Sequence, residues 1–317
     1  MRVSVVVPLY NKARWIQRTL DSALSQTFAD FELLVVDDGS TDGGGDIVAR
    51  CTHPRVRLIR QPNAGPGAAR NRGLAEAKGE LAAFLDADDE WLPTFLQKSV
   101  AALDAHPEAA CVSSGYIQHP AGKPMDGLWR ERGLKDGFVR LSPETPPLFA
   151  VHLLAYLCPW NTVARLGTVR RHGGFFDAWR CLYAEDSFLW LQVLLNAPVL
   201  VRMEPLVAFH TEASALSGNL KGARPVEPML LHPERIEASC PPPLRPLLSQ
   251  ILAIRAIKTA CMLSYWGKWR EGRALLKRFV PWSAWRLPRF AVASLAATPF
   301  GAGAGRLVRL VLGQGGG

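Results

Sequence analysis

The 317-residue sequence predicts an α/β fold: a mostly parallel central sheet flanked by helices, followed by a C-terminal helical extension. Three observations carry this. Short β-branched runs alternate with helix-period segments in the N-terminal third, as βαβ units require. Three of the first four strand-like runs stop in polar or acidic loops, so their carboxyl ends should converge on one site. One of them, Leu81–Leu85, stops in three carboxylates, Asp86, Asp88 and Asp89, whose mutual repulsion calls for a cation.

Val3–Leu9 reads as a buried first strand, and Arg14–Gln26 as a helix with Trp15, Ile16, Leu20, Ala23 and Leu24 on one face. Phe31–Val36 is a second strand, running into Asp37-Asp38-Gly39-Ser40-Thr41-Asp42. A short helix over Asp46–Cys51, a strand over Val56–Arg60 and a small-residue helix over Ala68–Ala77 follow. After the Leu81–Leu85 strand, Glu90–Ala105 reads as a helix with Asp89 at its cap. Ala110–Gln118 is a further strand, and Pro120–Pro147, rich in Gly and Pro, a loop over the site. Glu185–Leu195 is helical, and Val199–His210 has strand character despite Pro205. The chain divides into a domain over 1–217, a Pro-rich linker over 218–246 and a basic, Trp-rich helical extension over 247–317.

Composition narrows the possibilities. Met1 runs directly into the first strand, so no cleavable leader is expected. The six cysteines lack metal-ligand spacing and suit a reducing, cytoplasmic setting. From Arg245 onward there are 12 Lys/Arg and one acid, against 25 basic and 27 acidic residues before it. The body is near neutral and the tail strongly cationic. Tail tryptophans 266, 269, 282 and 285 interleave with these cations, which points to an anionic membrane surface, with packing on the protein as the alternative. No nucleic-acid module accompanies them. Phe290–Ala304 is too short and too broken to span a bilayer. A dinucleotide-binding domain would need GxGxxG after the first strand, where Pro8-Leu9-Tyr10-Asn11 stands instead.

Val5-Val6-Val7-Pro8-Leu9-Tyr10-Asn11, Val35-Val36-Asp37-Asp38-Gly39-Ser40-Thr41-Asp42, Asn63 through Ala69-Arg70-Asn71-Arg72-Gly73, Asp86-Ala87-Asp88-Asp89 and Gly173-Gly174-Phe175…Glu185-Asp186 occur in one order. In this the chain resembles the family 2 glycosyltransferases of GT-A fold, over roughly residues 1–215. The resemblance implies an inverting, non-processive enzyme that moves one sugar from a nucleotide-diphosphate donor, UDP-linked by preference. The acceptor would be a hydroxyl of a cell-envelope, polysaccharide or lipid-linked glycan, and the setting the cytoplasm or the cytoplasmic membrane face. It further implies Pro8, Tyr10, Asn11, Asp37, Arg70 and Asp86 at the donor nucleotide, and Asp88 and His210 at a Mn²⁺ or Mg²⁺ ion. Asp186 would be the general base, with Trp160, Asn161 and Glu185 near the acceptor or sugar. Gln192 stands where the family often has Arg after Trp190-Leu191, and QxxRW is absent, which favours single-sugar transfer. The rivals are a sugar-nucleotide nucleotidyltransferase, which lacks its Gly-rich triphosphate loop here, and a non-catalytic membrane scaffold, against which the intact acids argue.

Overall fold

The computed structural model describes residues 1–213, 223–281 and 297–298. Its chain order opens β1 Val3–Leu9, α1 Ala13–Leu24, β2 Phe31–Asp37, α2 Gly44–Ala49, β3 Val56–Arg60, α3 Pro66–Glu76 and β4 Leu81–Phe84. There follow β5 Glu90–Trp91, α4 Phe95–Ala105, β6 Cys111–His119, β7 Lys123–Pro124, α5 Asp126–Glu131, β8 Gly137–Val139 and α6 Pro147–Tyr156. β9 Thr162–Arg165, α7 Leu166–Arg171, α8 Glu185–Asn196 and β10 Val199–His210 complete the first unit.

The sheet order is β3-β2-β1-β4-β9-β6-β10-β5. β1 is parallel to both β2 and β4, with Leu9 opposite Asp37 and Val6 opposite Phe84. The acidic ends of β2 and β4 therefore flank the end of β1. β1 and β2 are apolar almost throughout and fully buried, as expected for parallel strands covered on both faces. In α1, Ile16, Thr19, Leu20 and Ala23 face the sheet, and the Asp42 carboxylate accepts the Ala13 N–H at 2.8 Å to satisfy its first turn. α3 is made of small residues because it lies almost in contact with β1: a Cβ on Gly73 would meet Val6 Cγ1 at 2.3 Å. Phe84, Phe175 and Trp190 pack edge to face behind β4.

Several expectations need correction. Glu90–Trp91 is a strand against β10 rather than the start of a helix, and α4 begins only at Phe95. Pro120–Pro147 holds β7, α5 and β8 as well as loop. The register of β10 against β6 shifts around Pro205, which has no N–H to give the ladder.

The second unit comprises residues 143–151 and the chain from 219 onward. The stretch read as a linker contains α9 Pro228–Leu231 and α10 Pro233–Ser239, each with Pro in its first turn, where the missing N–H costs nothing. α11 Arg245–Tyr265 and α12 Trp269–Phe279 form a hairpin through Gly267. Pro242–Tyr265 is long and apolar enough to cross a membrane, but 56% of its most apolar window is buried inside the protein. That burial, and the buried Arg255 at its middle, mark a core helix. Trp282, Trp285 and Phe290–Ala304, except Ala297 and Thr298, lie outside the described residues.

Candidate active site

The site forms where β1, β2 and β4 end. Pro8 is half-buried and Tyr10 is 46% exposed, its ring open to solvent. Asn11 turns the chain with a φ of 51°, its side chain accepting the Thr41 N–H at 2.8 Å and its own N–H donating to Ser40. Asp37 is buried: one oxygen accepts the Ser40 N–H at 2.9 Å and the other lies 3.9 Å from Arg60. Asp38 shapes the neighbouring loop, accepting from Gln61, Ala64 and Gly65.

Arg70 joins two stations of the site. Its guanidinium, 4% exposed, donates to Asp86 at 2.7 Å and to Glu185 at 2.8 Å. Burial works against that charge, but Asp86, Glu185 and Asp186 outweigh it and hold the side chain protonated. Arg70 thus bridges the β4 acids to the start of α8. Burial, then repulsion from Asp186, pushes the Glu185 carboxyl up to about 7 against the pull of Arg70. Asp186, half-buried, is also raised by burial, with Arg70 opposing. The loop entering α8 holds Trp179, Arg180 and Ala184 at left-handed φ, a strain that concentrates at functional sites.

The β4 acids divide their roles. Burial raises the Asp88 carboxyl, Asp86 raises it further, and the Lys12 ammonium, paired to Asp88, lowers it. Lys12 also donates to the Ala213 carbonyl at 2.6 Å. Asp89, 1% exposed, does not cap α4: one oxygen accepts the His210 N–H at 2.8 Å, and the other is buried without a hydrogen-bond partner.

The sequence-predicted metal pair is not assembled. His210 has Nδ1 at 2.7 Å from Glu212 and Nε2 at 2.8 Å from Glu90, and its ring stacks on His119. Both nitrogens face carboxylates, so the ring is engaged on each side by the protein itself. No cluster of three or more His, Cys, Asp or Glu side chains poised for a metal occurs among the described residues. Asp86 and Asp88 nevertheless fit a hard divalent ion that takes one or two carboxylates and completes its shell with phosphate oxygens. The two carboxylates stand two residues apart at the end of β4, and burial, then the nearby Asp86, raise Asp88, which is the observation behind that fit.

Trp160 and Asn161 are structural. Asn161 is fully buried and all its hydrogen-bonding capacity is used, by Ser114, Tyr156, Cys158 and Thr162. Trp160 stacks on Phe209 at 4.7 Å, and its carbonyl accepts from the Trp91 indole. Lys12 and Glu90 are the site neighbours that sequence reasoning passed over. Lys12 follows β1 by three residues, and only the β1–β4 pairing reveals that it meets Asp88.

Comparison with known proteins bears on the family and the fold. Residues 4–151 match the family described as Glycosyl transferase family 2. An uncharacterized glycosyltransferase of Nostoc is 45% identical over 103 residues, 32% of each chain. The uncharacterized glycosyltransferase YibD of Escherichia coli is 41% identical over 98 residues, 30% of this chain and 28% of the relative. The chain therefore aligns with about a third or less of these curated relatives. Among solved structures, S. aureus TarS 1–349 in complex with UDP-GlcNAc superposes with a TM-score of 0.60 at 20% identity, covering 94% of this chain and 79% of that one. The mannosyltransferase PcManGT from Pyrobaculum calidifontis, in complex with GDP-Man and Mn²⁺, gives 0.54 at 23% identity, covering 98% and 86%. The match to glycosyl transferase family 2 lies in residues 4–151, and the fold is that of GT-A glycosyltransferases.

Proposed function

We propose that the protein transfers a single sugar from a nucleotide-diphosphate donor, UDP-linked by preference, to an acceptor hydroxyl with inversion. The observation that carries this reading is the Arg70 bridge, which fastens the β4 acids to Glu185-Asp186. Donor-side and acceptor-side carboxylates thereby belong to one rigid unit, as in-line displacement needs.

In this reading Tyr10 offers its exposed ring to the base and Asp37 accepts from the base imino group. Asp86 and Asp88 would hold Mn²⁺ or Mg²⁺, which when bound neutralises the diphosphate and eases its departure. Lys12 already places a positive charge on Asp88 and gives way to the ion or shares the phosphates with it. Asp186 takes the acceptor proton; its raised carboxyl is a better base than an ordinary aspartate. Glu185, held by Arg70, positions the start of α8. The missing QxxRW supports single-sugar transfer, and the UDP-GlcNAc of TarS and GDP-Man of PcManGT support a nucleotide-sugar donor.

The test is thermal stability against a panel of UDP- and GDP-sugars with and without Mn²⁺, since a ligand bound only by the folded state raises its melting temperature. One donor should stabilise the wild type in a Mn²⁺-dependent way, and Asp88→Ala should lose that dependence. An unchanged Mn²⁺ response in the variant, or no response to any donor, removes the assignment.

A further inference from the structure

The transferase chemistry leaves unused a cationic face in the second unit. In α12 the buried residues are Gly272, Leu275 and Leu276, which share one side of the helix. A Cβ on Gly272 would meet the Ala260 carbonyl oxygen and Ser264 Oγ, each at 2.9 Å, so α12 lies nearly backbone to backbone on α11. Leu276 and Val280 join Ala260 and Ala297 in a small core there. The apolar side of α12 is therefore occupied and cannot enter lipid.

The opposite side carries Arg270, Arg273, Lys277 and Arg278, all exposed. Lys277 and Arg278 have an ordinary account, because cations in a last turn complement the helix dipole. Arg270 and Arg273, in the first half, work against that dipole. Glu271 and Lys268 lie 3.7 Å apart and both are more than half exposed, so this pair offsets little of the patch. Helix stability does not explain the patch; an external anion does.

We infer that the exposed face of α12 docks the protein on anionic phospholipid headgroups, by charge alone and without insertion of the helix. Its cations recur along the helix at i, i+3, i+7 and i+8, away from the buried residues, which suits an extended array of charge. Single-stranded nucleic acid is ordinarily held by aromatic rings that stack on its bases as well as by cations, and no aromatic ring of α12 is exposed. Trp269 sits half-buried at the border, its ring 5.1 Å from the Arg270 guanidinium.

The test does not depend on the transferase reading. Full-length protein is sedimented with phosphatidylcholine vesicles, with and without phosphatidylglycerol, at low and high salt. Binding should require phosphatidylglycerol and fall steeply with salt. The variant Arg270→Gln/Arg273→Gln/Lys277→Gln should bind at least about tenfold more weakly, since each cation near the surface adds to the attraction, with an unchanged melting temperature. Equal binding to neutral vesicles, salt-insensitive binding, or full binding by the triple variant would overturn the proposal.

Discussion

Arg70 and Arg255 are both buried, 4% and 7% exposed, and both donate to a glutamate, yet their surroundings differ. Arg255 meets Glu227 one for one at 2.7 Å, with Thr259 supporting the carboxylate at 3.5 Å. Arg70 serves Asp86 and Glu185 together, with Asp186 close enough to add its field. One pair is balanced and the other is overloaded with negative charge. Balance is what a scaffold needs. In the function proposed above, that excess of charge is the place that takes a cation and a proton.

That contrast can be broken at either end. The largest effect expected is on catalysis: Asp186→Asn should slow transfer by about a thousandfold, within the range of a lost general base, while the donor-induced rise in melting temperature persists. Turnover near wild type would take the base role away from Asp186. At the balanced pair, Arg255→Met strands a buried carboxylate and should cost about 3–5 kcal/mol in denaturant unfolding. Adding Glu227→Leu should recover most of it; a mild single variant would mean that Glu227 reaches water.

The smallest effect is the most diagnostic. Glu185 has its carboxyl raised from 4.5 to about 7 in the folded protein, so the folded state holds this proton more tightly than the unfolded chain. The resulting stability is complete below about 4.5 and is lost as pH rises through about 7. Melting temperature should therefore decline across that window, and Glu185→Gln should flatten the decline. An identical slope in the variant would assign the effect to Asp88, Asp89 and Asp186, which are raised in the same direction.

Much of the fold was legible because parallel strands covered on both faces are nearly continuous apolar runs, as β1 and β2 are apart from Ser4, Glu32 and the terminal Asp37. Asp86, Asp88 and Glu185-Asp186 were legible as acids at element ends. The failures share a cause: a polar side chain states its capacity for hydrogen bonds, not its partners. Asn161 could have met a sugar, but it meets four neighbours in the core. His210 could have met an ion, but Glu90 and Glu212 reach it first. Asp89 looked like a cap because Glu90–Trp91 looked helical, and only β10 makes that pair a strand. The prolines of 225–246 read as linker, whereas two of them open helices.

Gly73 sets a dimensional tolerance on all of this. It lets α3 rest against Val6 of β1 with no side chain between them. Arg70, one turn earlier, lies on the same side of that helix, and its reach to Asp86 and Glu185 is gauged to the resulting gap. One added methyl group at residue 73 would have to lift the helix like a shim, drawing the guanidinium away from both carboxylates at once. The alignment of the two halves of the site is in this sense a matter of machining, held to the thickness of a methyl group by a residue that touches no substrate.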